Sequence, residues 1–154
     1  MYIAMISADW RHIVSLDLCI SMNSGTGTGD WPLEGFGAAL LIPTLEVLFL
    51  ACIKVKKDEL TPFSEFRGET NVKDLNIESG TMSLQSLSEI LSFPRALISL
   101  ELSLVLPEHE MSEEYGTPED LHRAISQHRA SLEFLKIDDI FHPLYINKSE
   151  FPQL

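Results

Sequence analysis

The sequence predicts an α/β repeat solenoid of about five strand–helix units, stacked so that their strands form one parallel sheet on a concave face. Three observations carry that prediction. The first is a pattern, Leu-x-x-Leu-x-Leu, written five times in loose form. It reads Ile13-x-x-Leu16-x-Leu18, Leu45-x-x-Leu48-x-Leu50, Val72-x-x-Leu75-x-Ile77, Leu97-x-x-Leu100-x-Leu102 and Leu132-x-x-Leu135-x-Ile137. The second is spacing: the middle residues, at 16, 48, 75, 100 and 135, are 32, 27, 25 and 35 positions apart, room for one strand and one helix per step. The third is a recurring order of helical periodicity, proline, then the pattern, at Pro43 before Leu45 and at Pro94 before Leu97. Units this short cannot bury an apolar face alone, so each needs its neighbours.

The elements follow in order, with strands expected near 12–20, 45–53, 72–78, 97–105 and 132–138. Residues Met1 to Trp10 hold apolar side chains on no clean period and read as the tail of a helix feeding the first strand, so the array is expected to start mid-repeat. Ser21 to Asp30 is a flexible loop containing Gly25, Gly27 and Gly29; a dinucleotide fingerprint counted from Gly25 would put Asp30 where its last glycine belongs, and no phosphate-loop lysine is near. Leu33, Phe36, Gly37, Leu40 and Leu41 share one face of a helix that Pro43 stops. Leu45, Leu48, Leu50 and Ile53 form the inward set of the second strand. Thr61 caps a short helix with Pro62 in its first position and Leu60, Phe63 and Phe66 on its apolar side. Arg67 to Thr70 turns into the third strand.

Ser83 to Ser92 gives a helix with Leu84, Leu87, Ile90 and Leu91 on one face. Val105 to Gly116 is a solvated insertion; its Glu108, Glu110, Glu113 and Glu114 around His109 match no metal-ligand spacing, and the loop is an interaction candidate. Thr117-Pro118-Glu119-Asp120 starts a helix, with acids in its first turn and Leu121, Ala124, Ile125 and His128 on one face. His122 lies off that face and is expected to be exposed, while His128 reads as a packed or hydrogen-bonded residue. Phe141 to Phe151 is an apolar tail that caps the last repeat or opens a sixth. Residues 1–154 therefore read as a single repeat domain, a fragment of a longer array.

Strand side chains alternate, so the residues between the inward leucines share the opposite face. The central row is Asp17, Phe49, Asn76, Glu101 and Lys136. It is flanked by Ser15, Val47, Asp74, Ser99 and Phe134 on one side and by Cys19, Ala51, Glu78, Ser103 and Asp138 on the other. Exposed apolar residues among carboxylates make Asp17, Val47, Phe49, Asp74, Asn76, Glu101, Phe134 and Lys136 the candidate interaction face.

Composition narrows the function classes. The net charge of −12, from 23 acids against 11 bases, disfavours non-specific contact with nucleic acid or an anionic membrane surface. The longest apolar stretch, Phe36 to Ile53, carries Pro43, Thr44 and Glu46 near its middle and reads as helix, stop and strand instead of a membrane span. The first twenty residues lack a basic start and an uninterrupted apolar core, so no signal peptide is expected. Cys19 and Cys52, each in an expected strand, read as reduced thiols, and Asn147-Lys148-Ser149 is a bare sequon. No Gly-x-Ser-x-Gly, His-x-x-x-His or His-Glu-x-x-His occurs, so no catalytic, cofactor or metal residue is assigned.

Leu45-Glu46-Val47-Leu48-Phe49-Leu50 after Ile42-Pro43-Thr44, and Ser131-Leu132-Glu133-Phe134-Leu135-Lys136-Ile137 after a helix, resemble irregular leucine-rich repeats. The variable step resembles the C-terminal repeat regions of fungal F-box-type proteins and covers most of residues 12–140. It departs from the repeat consensus where Asn or Cys usually follows the last leucine: Ser21, Ile53, Gly80, Val105 and Ile140 stand there. No F-box is found, Ile42-Pro43-Thr44-Leu45-Glu46 being only a poor echo of its opening. The resemblance implies a leucine-rich-repeat-like solenoid that recognises a protein substrate for a ubiquitin ligase, with a Skp-type adaptor as partner only if an F-box precedes it. The leading expectation is thus a non-catalytic protein–protein interaction module, without cofactors, in the cytoplasm or nucleus. The alternatives are a nucleotide-binding enzyme using the Gly25–Gly29 loop and a truncated product with no independent role.

Overall fold

A computed structural model describes residues 12–19, 39–55, 60–104 and 118–138. Each of the five patterns supplies one strand: β1 (Ser15–Cys19), β2 (Val47–Ala51), β4 (Asp74–Met82), β5 (Ser99–Leu104) and β6 (Phe134–Asp138). They lie side by side in chain order and all pair in parallel. Between β2 and β4 come a two-residue strand β3 (Lys54–Val55) and a 3-10 helix (Thr61–Phe66). Helix α1 (Leu84–Ser92) joins β4 to β5, and helix α2 (Pro118–Ser126) precedes β6. The described chain is an α/β fold whose parallel strands alternate with helices.

The register follows the sequence pattern residue for residue through its middle. Leu16, Leu48, Leu75, Leu100 and Leu135 are Cα partners across the sheet, as are Leu18, Leu50, Ile77, Leu102 and Ile137. These rows join the inward sides of the helices (Leu84, Leu87, Ile90 and Leu91 of α1; Leu121, Ala124 and Ile125 of α2) in a single apolar core. Burial of the inward residues is nearly complete in β2, β4 and β5 and partial for Ile13, just before the first strand, for Leu16 within it, and for Leu135 and Ile137 in the last. An edge strand has a neighbour on one side only.

The strands begin two residues later than the sequence suggests, three for the first, and one repeated arrangement explains it. The carbonyl of Val14 accepts from the N–H groups of both Glu46 and Val47, at 2.8 and 2.9 Å. Glu46 then accepts from Lys73 and Asp74, Lys73 from Ile98 and Ser99, and Ile98 from Glu133 and Phe134, all at 2.7 to 3.0 Å. The second residue of each of the first four patterns thus offers one oxygen to two donors of the next unit, and the regular ladder starts only at the third. The first residue of each pattern is left to anchor the core: Leu45, Val72, Leu97 and Leu132 are buried.

The third strand also outruns its expected end at 78. After Ile77 pairs with Leu102, Gly80 pairs with Leu104, so β4 spends one residue more than β5 over the same span. Ser79 takes a φ of 53° there, and Cys52, at the matching place beyond β2, takes 55°. The Cys52 N–H donates to the Glu78 carbonyl at 2.8 Å, and beyond the bend β3 resumes pairing, Lys54 with Thr81 and Val55 with Met82. The bend restores the inward set, so Ile53, Val55, Gly80 and Met82 are buried. Cys52 consequently lies in a bend, not in a strand as expected, and is a free thiol.

Three helix details differ from the sequence reading. Leu60, not Thr61, is the N-cap of the 3-10 helix, because its side chain is buried while its carbonyl accepts from Phe63 at 2.9 Å. Leu41 is 65% exposed although it was expected on an apolar face. Residues 39 and 40 are the last helical ones, Ile42 N–H folds back to the Ala39 carbonyl at 3.1 Å, and the turn throws Leu41 outward while Ala39 and Ile42 pack inside. His122 is half-buried instead of exposed and has an interaction partner. Ser83, by contrast, caps α1 through its hydroxyl, which accepts from Ser86 N–H at 3.0 Å.

The helices are stitched to the sheet by His128, which is only 4% exposed. The N–H of Leu97 donates to its Nδ1 at 3.3 Å, so Nε2 carries the ring proton and donates to the Leu91 carbonyl at 2.7 Å. One imidazole therefore ties the end of α2 to the last turn of α1 and to the entry of β5. Burial pushes its pKa below the usual histidine value, partly offset by the bond to Leu91, and the neutral ring is what this geometry requires.

The helix expected from Leu33 is described only at its end. The Gly25–Gly29 loop, the Glu108–Glu114 loop and the Phe141–Phe151 tail lie outside the described residues, as does Thr117. Among the described residues no helix is long and apolar enough to cross a membrane.

Candidate interaction face

The face of the sheet opposite the apolar core is built by the third, fifth and seventh residues of each pattern. The fifth residues form a straight row of Cα partners, Asp17, Phe49, Asn76, Glu101 and Lys136. The third residues form another, Ser15, Val47, Asp74, Ser99 and Phe134. Both rows are those expected from the sequence. The third row holds from Cys19 through Ala51 to Glu78 and again between Ser103 and Asp138, but the extra residue at Ser79 breaks it between Glu78 and Ser103.

Two shallow depressions lie on this face. One, of about 430 Å³, is lined by Asp17, Val47, Phe49, Asp74, Asn76, Ser99 and Glu101. The other, of about 290 Å³, is lined by Asn76, Glu78, Glu101, Ser103, Lys136 and Asp138. They share Asn76 and Glu101, so the surface dips continuously from β1 to β6. Of the eight expected face residues, seven line these depressions. Phe134 does not; it stands 48% exposed on the last strand, three strands from Val47, and makes no common patch with Val47 and Phe49.

Charge is unevenly distributed along the face. Lys136 lies 2.6 Å from Asp138 and 3.9 Å from Glu101, and the Asp138 carboxylate, ahead of Glu101 and Glu78, holds its ammonium above the usual lysine value. Asp17, Asp74 and Glu78 have no ion-pair partner among the described residues. The β6 end is thus internally paired, while the β1–β4 end presents unpaired carboxylates around the half-buried Val47 and Phe49. Glu78 and Asp138, which the sequence places in the flanking row but not among the candidate face residues, line the second depression as well; simple alternation along their strands already points to them.

Among the described residues no group of histidine, cysteine, aspartate and glutamate side chains is arranged to hold a metal ion. Comparison of the chain with protein-family models, with curated proteins and with solved structures finds no match to any of the three.

Proposed function

We propose that the chain is a non-catalytic protein-binding module, a leucine-rich-repeat-like solenoid segment whose partner lies on the face of the sheet opposite the apolar core. The observation that supports this most is the recurrence of one carbonyl accepting two N–H groups at four successive unit boundaries, since repetition of main-chain geometry is what stacked repeats produce. The second support is the aligned row of differing side chains over a scaffold of leucine, isoleucine and valine. In such an arrangement the leucines set the shape and the residues between them set the specificity. The partner in this reading is a protein; the shortage of basic side chains argues against nucleic acid and anionic membrane.

The resemblance to F-box-type proteins extends the proposal to substrate recognition for a ubiquitin ligase in the cytoplasm or nucleus. An F-box helix encoded upstream, and binding of the longer chain to a Skp-type adaptor, would establish that extension. Capture of cellular proteins by the wild-type chain and by Phe49→Ala/Glu101→Ala tests the module itself. A protein retained by the first and lost by the second is the expected result; equal retention would move the binding site off this face. The competing nucleotide-enzyme reading predicts a raised melting temperature with millimolar ATP, GTP or NAD(P), and we expect none.

A further inference from the structure

The part of the face between β1 and β4 has a chemistry that selects its occupant. Asp17 is the direct cross-strand partner of Phe49, and Asp74 is the direct partner of Val47. The aromatic ring is therefore flanked by one carboxylate across the neighbouring strand and by another on the diagonal of the other neighbour. Neither carboxylate has a cation among the described residues, whereas Glu101 and Asp138 share Lys136. A half-buried phenyl ring between two unpaired carboxylates lacks only a planar cation: a guanidinium can stack on the ring face and direct its N–H groups to both sides. Resting on the reading of this face as a protein-binding surface, we infer that the occupant is an extended, arginine-bearing segment of a partner protein crossing the strands, with one arginine on Phe49 between Asp17 and Asp74.

Dimensions and charge agree with this occupant. Neighbouring strands are about 4.8 Å apart, so the trough from β1 to β6 is roughly 19 Å long, the reach of about six extended residues. Along it the face offers five carboxylates, Asp17, Asp74, Glu78, Glu101 and Asp138, against the single ammonium of Lys136 among the described residues. An acidic segment meets repulsion along the whole path. A neutral segment leaves the carboxylates at Asp17 and Asp74 partly desolvated without compensation. Only a basic one gains at Asp17 and Asp74.

The test is panning of a random-peptide phage library against the full chain at about 0.15 M salt, followed by binding of each enriched peptide to three variants. Asp17→Asn/Asp74→Asn removes the proposed cation site, Phe49→Ala removes the ring, and Glu65→Gln/Glu119→Gln removes equal charge from exposed positions outside the site. We expect arginine-rich peptides that bind the first two variants about tenfold more weakly, and the third unchanged, from two exposed charge contacts and a cation–π contact. Equal weakening by both charge-removing variants would reduce the effect to bulk charge and overturn the inference. Enriched peptides without basic residues that still need Phe49 would overturn it while leaving the binding face intact. No enrichment, or binding insensitive to all face variants, would overturn both. Unaltered circular dichroism of the variants is expected, since the five substituted side chains are at least partly exposed.

Discussion

At the scale of single residues the fold depends on a few buried polar groups whose partners can be counted. His128 accepts at Nδ1 and donates at Nε2, so protonation would set a second donor against Leu97 N–H. Its pKa is depressed in the folded chain by burial, so the unfolded chain binds the proton more readily. Its contribution to stability is complete above the unfolded histidine value of about 6.5 and is lost as pH falls through the lower folded value. Urea unfolding between about pH 7.5 and 5.5 should therefore show a steeper fall in stability for wild type than for His128→Gln; parallel slopes would remove the histidine from the account. Thr70 is the opposite case. Its hydroxyl is buried without a partner among the described residues, and Thr70→Val, which keeps the shape, should stabilise the chain by about 1 kcal/mol in the same assay. The face rows were legible in the sequence because a period of two leaves no freedom once the leucines are placed. The role of His128 was legible only as a packed histidine, since its partners, Leu91 and Leu97, sit 37 and 31 residues away.

At the scale of elements the departures from sequence reading sit where the chain leaves a regular element. The third strand is expected to end at 78, yet β4 runs through Ser79 and Gly80 to Met82, because a single residue at positive φ is enough to restore alternation. A Cβ on Gly80 would meet the Cγ2 of Ile77 at 2.8 Å and the Cε of Met82 at 3.1 Å. Methionine can yield, but the branched Ile77 is buried in the core, so Gly80→Ala should cost about 1–3 kcal/mol by thermal or chemical unfolding. A loss near zero would mean that β4 does not bulge there. Leu41 was misplaced for a related reason: helical periodicity cannot say at which residue a helix stops, and here it stops one residue early. The helix faces of α1 and α2 were legible in full, because Leu84, Leu87, Ile90 and Leu91, and likewise Leu121, Ala124 and Ile125, fall on a period no strand could use.

At the scale of the whole molecule, each strand is stabilised by the units beside it. Leu100 and Leu16 occupy the same place in the pattern, but Leu100 is buried between β4 and β6 units while Leu16 is half-buried on the first strand. Leu100→Ala should therefore cost about 2–5 kcal/mol and Leu16→Ala distinctly less, a difference that equal burial in a closed core would not produce. Among the described residues the helices pack on one face of the sheet and none on the other, where the carboxylates without an ion pair, Asp17, Asp74 and Glu78, gather toward β1 and β4. The most direct measurement of that arrangement is backbone-amide NMR of the full chain titrated with a Gly-Ser-Arg repeat peptide. Saturable shifts at Asp17, Phe49, Asp74 and Asn76, with α1 and α2 unmoved, are the predicted result. Shifts confined to the helices, or spread evenly over every acidic residue, would contradict it.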